Sequence, residues 1–262
     1  MSLTLDIGAT GMLAQQLNVD TISNNIANMT TTGFKRQRAD FQDLLYQSKV
    51  RAGASSSDSS TTIPSGVQQG LGVKAGSIYR INEQGALQST SNKFDIAVMG
   101  TGYFQVTLPS GETAYTRAGA FQLNQNGQVV TAQGYLVQPG ITIPSDAVDV
   151  TINSSGQVLV KIQGQTTLSN VGQIQTAVFP NEAGLEALGN NLFIITEASG
   201  NAVVGNPGST GFGTLQQSFL ESSNVNVVQE ITSLIQAQRA YEMNSKVIQT
   251  GDQMLSTITQ LR

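Results

Sequence analysis

Asp146 and Asp149, three residues apart in PSDAVDV, are the nearest this sequence comes to a pair of metal ligands. Calcium takes about six to eight oxygens from a loop dense in carboxylates and amides. Here the neighbours are mostly alanine, valine and proline, so no metal site is expected. The chain has no histidine and no cysteine. That removes the imidazole acid or base, the Ser–His and Cys–His nucleophile pairs, and the usual zinc ligands. Gly70-Leu71-Gly72 and Gly100-Thr101-Gly102 are bare G-x-G pairs, too common to mark a nucleotide site. Catalysis by carboxylates alone needs two of them converging in a cleft, and no element of the sequence points to such a pair. No cofactor is expected, and the chain does not read as an enzyme.

Lys35, Arg36 and Arg38 form the one tight basic cluster. Against a net charge of −4 they are too few to make nucleic acid a main partner. They are expected as a solvated or salt-bridged face near a helix end, where cations suit the dipole. Charged residues make up 11% of the chain, less than half the roughly 25% of an average soluble domain. The polar surface is therefore mostly Gln, Asn, Ser and Thr, which copies of the chain can bury against each other without desolvating many charges. The start, MSLTLDIGATGML, lacks a basic region and a cleavage site, so no cleaved signal is expected. Without a run of about eighteen apolar residues, no membrane insertion is expected either.

Two elements stand out as positioning frames. Leu5, Met12, Val19 and Ile26 lie seven apart, with Leu13, Leu17, Ile22 and Met29 beside them. This predicts a helix of roughly 25 residues, about 38 Å long, with one face against another helix. Gln15 and Gln16 interrupt the stripe. The stretch SNNIANMTTTGFKRQR lets the helix decay, and Gly33 is placed to end it in a left-handed conformation. Asn28, Gly33, Phe34 and Lys35 are read as the joint where the chain turns outward. At the other end, Val227, Leu234, Tyr241, Ile248 and Leu255 repeat every seven residues, flanked by Ala240, Val247, Met254 and Leu261, with Ile258 nearby. Asn226 and Gln229 resemble a capping box. The self-associating residues are taken to be Leu5, Met12, Val19, Ile22, Ile26, Val227, Leu234, Tyr241, Val247, Ile248, Met254, Leu255 and Ile258.

Between the helices the chain reads as β. Short apolar stretches such as GYFQVTL and QVLVKIQG alternate with glycine turns. One turn pattern occurs three times, as Ile81-Asn82…Gly85…Leu87, Leu123-Asn124…Gly127…Val129 and Ile152-Asn153…Gly156…Val158. All three are expected to be hairpin corners. Ser48–Gly76, dominated by Ser, Thr and Gly, reads as an extended linker. The expected fold is thus mixed α and β: a discontinuous coiled-coil domain from the two terminal helices, a central mainly antiparallel β domain, and a Ser/Gly-rich linker. Its boundaries are an N-terminal helix over 1–34, a connection over 35–92, the β domain over 93–189, a return over 190–221 and a C-terminal helix over 222–262.

Two such helices packed only on each other bury too little apolar surface to offset the cost of ordering them. The missing cover comes from the chain's own β domain or from neighbouring copies. Three blocks in the same order, SNNIANMTTTGFKRQRADFQDLLYQ, GTGYFQV with AYTRAGAFQLNQNGQVVTAQGYLVQP, and LESSNVNVVQEITSLIQAQRAYEMNSKVIQTGDQMLSTITQLR, resemble the axial rod and hook proteins of the bacterial flagellum. The length, the Ser/Gly-rich segment and PGITIPSDAVDVTINSSGQVLVKIQG are most similar to the distal-rod branch. Proximal rod proteins are the nearest alternative; a hook protein would be longer. The resemblance implies export through the flagellar export apparatus without cleavage, and helical assembly into a hollow tube with the termini in an inner coiled-coil layer. It implies a periplasm-spanning drive shaft in the basal body. The partners it implies are further copies of the chain, proximal rod proteins, hook protein, and the peptidoglycan and outer-membrane ring proteins. In the rod, Ser48–Gly76 would make the shaft straight and stiff. Outside this class, a secreted β-rich adhesin or binding module with a helical stalk, or a carboxylate hydrolase, is the alternative reading.

Overall fold

A computed structural model describes residues 3–50, 65–165 and 167–260, without the side chain of Ile258. The middle of the Ser/Gly-rich stretch, 51–64, lies outside the described residues. The protein is mixed α and β, with a helix at each end of the chain and an antiparallel β region between them. It divides into two units, one comprising 1–26, 37–79 and 226–262, the other 27–36 and 80–225.

The first unit holds both helices, α1 (Leu3–Ala27) and α2 (Val227–Gln260). Asn226 caps α2, its Oδ1 accepting from the Gln229 N–H at 3.2 Å, as the sequence leads one to expect. α1 stops at Ala27, short of Met29 and Gly33. A turn follows directly, in a run of asparagine and threonine with low helix propensity. Thr31 N–H bonds to Asn28 O at 3.2 Å and Thr31 Oγ1 to Asn28 Oδ1 at 3.1 Å. Four strands complete this unit: β1 (Gln37–Asp43), β2 (Tyr46–Val50), β3 (Val67–Gly70) and β4 (Val73–Arg80). β1 pairs with β4 and β2 with β3, so the region read as a linker carries two short ladders.

The second unit begins with β5 (Leu87–Ser89), β6 (Ile96–Met99), β7 (Tyr103–Thr107), β8 (Thr113–Thr116), β9 (Phe121–Leu123), β10 (Val129–Thr131) and β11 (Leu136–Val137). It continues with β12 (Ala147–Ile152), β13 (Gln157–Ile162), β14 (Ser169–Gln173), β15 (Thr176–Val178), β16 (Glu186–Gly189), β17 (Leu192–Ile194), β18 (Val203–Gly205), β19 (Thr214–Gln217) and β20 (Phe219–Glu221). β7 lies at the centre of a nine-stranded antiparallel sheet, between β8 on one edge and β11 and β15 on the other. Period-two alternation sends Phe104 and Val106 into one core and Tyr103 into another. Both faces of β7 are covered, which is why its residues read as one apolar run. The three-stranded sheet β12–β13–β14 adds Val150, Ile152, Val158 and Val160 to the larger core. β19 pairs with β6 and β20 with β5, which returns the C-terminal strands to the start of the unit.

Two of the three turn repeats are hairpins. Gly127 and Gly156 have φ of 72° and 83°, and Asn124 and Asn153 accept from the Gln128 and Gln157 N–H groups at 2.9 Å. The first repeat is not a hairpin. Gly85 has no positive φ; it is needed because a Cβ there would lie 1.9 Å from Ser222 O.

Phe104 is fully buried and meets Phe121 edge to face at 5.0 Å. Phe104→Ala should lower stability by about 3–5 kcal/mol, seen as a lower urea midpoint for loss of β signal with the slope unchanged.

Candidate functional site

The helices of the first unit run antiparallel, and they meet through their smallest residues. On α1 the buried positions are Gly8, Ala14, Thr21, Ile22 and Asn25. On α2, Glu230, Ala237 and Gly251 are buried, and with Asn244 they form a line of their own at intervals of seven. A Cβ on Gly8 would stand 2.7 Å from Ile248 Cγ1, and one on Gly11 2.8 Å from Asn244 Nδ2. Leu5 Cδ2 lies 3.4 Å from where a Gly251 Cβ would be. The close approach needs glycine at Gly8, whereas at Gly11 the nearest atoms are the end of the Asn244 side chain, which can turn aside.

The expected self-association residues therefore fall into three groups. Ile22 is buried, while Leu5, Met12, Val19, Ile26, Val227, Leu234 and Ile248 are half-buried. Tyr241, Val247, Met254 and Leu255 face outward, 42%, 46%, 53% and 39% exposed. Leu13, Val228, Ile231, Ile235 and Met243, the first of which was read as part of the N-terminal stripe, are also exposed. Ile258 lies outside the described side chains. Val19 and Tyr241, with Gln16, Gln238 and Glu242, line an open groove along the pair.

The second unit contains a buried ionic junction. The Glu221 side chain is 1% exposed, Lys35 4% and Arg117 5%. Lys35 Nζ donates to Glu221 Oε1 at 2.6 Å and to Glu83 O at 2.8 Å. Arg117 Nε donates to Glu221 Oε2 at 2.6 Å, and its terminal nitrogens donate to the Val98, Gly100 and Gly102 carbonyls. Gly85 N–H donates to Glu221 Oε1 at 2.9 Å, and Gly33 N–H to the Glu221 carbonyl at 2.8 Å. Asn224 extends the network, accepting from the Arg36 N–H at 2.7 Å and donating to Ile81 O at 2.8 Å. Burial alone would raise the Glu221 pKa; the Arg117 charge and the Lys35 hydrogen bond outweigh it and hold the carboxyl below 4.5. Burial pulls the Lys35 pKa below 10.5, with Glu221 opposing. Three charges without solvent, each with hydrogen-bond partners, make a structural fastening.

The expected joint residues are placed here. Gly33 has φ +68° as anticipated, but it does not terminate α1; its Cβ would lie 2.9 Å from Ala118 N, so it serves a close crossing. Phe34 and Asn28 are half-buried. Lys35 is salt-bridged, one of the two expected states, but in the interior with Glu221 and not on a face, while Arg36 is half-buried and Arg38 exposed. Glu221 and Arg117 escaped sequence reasoning because the three partners come from distant segments and share no spacing. Asp149, weighed as a cation ligand, accepts from Lys93 Nζ at 2.5 Å. Among the described residues no group of three or more metal-ligating side chains occurs, and no helix is long and apolar enough to cross a membrane.

Comparison with known proteins gives consistent matches along the chain. Residues 5–35 match the flagella basal body rod protein family, 97–160 the D1 domain of flagellar hook protein FlgE/F/G, and 216–261 the C-terminal region of flagellar basal body rod FlgEFG proteins. The flagellar basal-body rod protein FlgG of Caulobacter vibrioides is 62% identical over 258 residues, covering 98% of each chain. That of Borreliella burgdorferi is 47% identical, covering 100% of this chain and 99% of its own. The FlgG of Bacillus subtilis is 40% identical over the full length of both. Among solved structures, the Helicobacter pylori flagellar hook protein FlgE2 aligns at a TM-score of 0.26 and 15% identity, over 71% of this chain and 43% of that one.

Because the folded Glu221 carboxyl titrates below the unfolded value of 4.5, its contribution to stability is complete above that pH and fades as pH falls further. The thermal midpoint of the β unit should drop below pH 4.5, and Glu221→Gln should flatten that step. At neutral pH, Glu221→Ala should cost about 3–5 kcal/mol in urea unfolding, since two buried cations lose their counter-charge.

Proposed function

Because the chain belongs to the family of the flagellar basal-body rod protein FlgG and is a structural subunit of the flagellar distal rod, we propose that it builds that rod by self-association through the outward faces of α1 and α2. One observation carries this reading. The helices approach each other at Gly8, Gly11 and Gly251, and many of the large apolar residues of α2 are left outside. Eight large apolar residues of α2 are at least 39% exposed, from Val228 to Leu255. Scattered apolar exposure is ordinary, but so much on one helix marks an interaction surface. The flanking residues are mostly Gln, Ser and Thr, so covering them with another copy desolvates few charges.

In the proposed assembly the terminal helices of many copies form an inner layer around a hollow tube and the β units lie outside. Leu5, Met12, Val19, Ile22, Ile26, Val227, Leu234 and Ile248 hold each helix pair together. Tyr241, Val247, Met254 and Leu255 then meet neighbouring subunits, with Ile258 assigned to the same face. Proximal rod subunits would join one end and hook subunits the other, with ring proteins around the shaft as it spans the periplasm. Delivery would use the flagellar export apparatus without cleavage. The β2–β3 ribbon supports a stiffening role for Ser48–Gly76: every residue of β2 is exposed, Leu45 and Tyr46 are 82% and 59% exposed, and an isolated two-stranded ribbon is marginal in water. A neighbouring subunit would supply its cover. The relatives are structural proteins of the flagellum, and neither an adhesin nor a hydrolase is favoured.

Concentrated protein should form tubes with a helical lattice under the electron microscope. Val247→Asp and Met254→Asp should each abolish the tubes while leaving circular dichroism and the thermal midpoint within the range of ordinary surface substitutions, about 0.5 kcal/mol. Normal tubes from both variants would refute the proposed face.

A further inference from the structure

Asn25 is 1% exposed, and its amide is used at both ends. Oδ1 accepts from the Gln37 N–H at 2.8 Å and Nδ2 donates to the Gln37 carbonyl at 2.8 Å, so the side chain imitates a neighbouring strand where β1 begins. Nδ2 also donates to Glu230 Oε2 at 3.1 Å. Glu230 is itself 4% exposed and lies in the first turn of α2.

The remainder of the helix pair is nearly indifferent to alignment. On α2 the aliphatic line Val227, Leu234, Tyr241, Ile248, Leu255 and the inward line Glu230, Ala237, Asn244, Gly251 share the same interval of seven. A slide of seven residues, about 10.5 Å, puts the large apolar positions back on large apolar positions. Gly11, now against Asn244, would meet Gly251, and Gly8, now under Ile248, would meet Leu255. The polar end differs most. Asn25 would face Ala237, and Glu230 would run past the end of α1. A buried amide and a buried carboxylate would then lose the hydrogen bond they share, the kind of loss that buried polar groups resist most.

We propose that Asn25, with Glu230 and the Gln37 backbone as its partners, is the register pin of the helix pair. It selects one of several alignments that the heptads alone leave nearly equal, and it fixes the first residue of β1 to that choice. Buried asparagines select register in coiled coils in the same way. The inference concerns a single subunit and stands whether or not tubes form.

The chain has no cysteine, so paired cysteines report register without background. Gly11→Cys with Asn244→Cys reports the observed alignment. Gly11→Cys with Gly251→Cys reports the slid one, because cysteines more than about 7 Å apart at Cα do not bridge. In the full chain with Asn25 intact, the first pair should oxidise to a disulfide and the second should not. In the apolar variant Asn25→Leu with Glu230→Leu, helical circular dichroism should persist and the slid disulfide should appear beside the other. Moving the acid one heptad, Glu230→Ala with Ala237→Glu, should make the slid disulfide the main product. The proposal is overturned if only the first pair closes in both variants, or if the slid pair closes with Asn25 intact. Loss of helix in both variants also overturns it, since a residue that only chooses alignment is not required for helix formation.

Discussion

Glu221 carries its charge where almost no water reaches, and much of the β unit's organisation follows from that constraint. A carboxylate 1% exposed is tolerable only with opposite charge and donors on each oxygen. Lys35 and Gly85 serve one oxygen, Arg117 the other. Arg117 in turn can be buried only because the Val98, Gly100 and Gly102 carbonyls receive its remaining donors. The turn from β6 to β7 must therefore present those carbonyls inward, and Gly100 and Gly102, at φ 99° and 139°, give the backbone that freedom. A buried ion pair is a weak source of stability compared with an apolar cluster of the same volume. What it supplies here is orientation, since charged hydrogen bonds are directional and apolar contacts are not.

The helix pair obeys a different rule. Its members approach through glycine, alanine and asparagine, so the partner within the chain needs little of the large apolar surface. Close packing of small residues gains contact between backbones and does not cover Val247, Met254 or Leu13. A subunit built this way folds its own hairpin of helices and still has most of its adhesive surface available. Exposed apolar surface of this extent suits a structural protein of the rod, under the assembly proposed above.

Much of this was legible in the sequence, and the limits have physical causes. Seven-residue spacing located both helices, and the Asn226 cap placed the start of α2 correctly. The same spacing drew attention to the bulky line Val227–Leu255 and away from the line three residues on, where Glu230, Ala237 and Gly251 are the buried ones. Hydrophobicity marks which residues leave water; it does not say whether a partner in the same chain or another copy receives them. Gly33 was correctly read as left-handed, but its partner Arg117–Ala118 is far along the chain, so the reason for it was hidden. The Asn–Gly turn signal worked at Gly127 and Gly156, where the strands on either side pair with each other. It failed at Gly85, where a buried carboxylate claims the backbone N–H. The burial of Lys35 was hidden for the same reason: a short-range reading sees a cation near a helix end that is solvated or salt-bridged, and only the tertiary fold brings Glu221 to it.

Both buried glutamates bear on how force passes through the chain. The chain passes between its two units after residues 26, 36, 79 and 225. On the β side, Gly33 and Lys35 bond to Glu221, Arg36 to Asn224, and Ile81 and Glu83 to Asn224 as well, so the segments entering and leaving share one fastening. On the helix side, Asn25, Gln37 and Glu230 make a second. A tug on any of these segments is met by hydrogen bonds to an ionised or buried polar group before it reaches an apolar core. Such bonds are short and directional, and in a low dielectric they are stiff against small displacements, whereas apolar contacts yield by sliding. For a structural subunit of the rod, that difference bears on how stiffly each copy holds its shape.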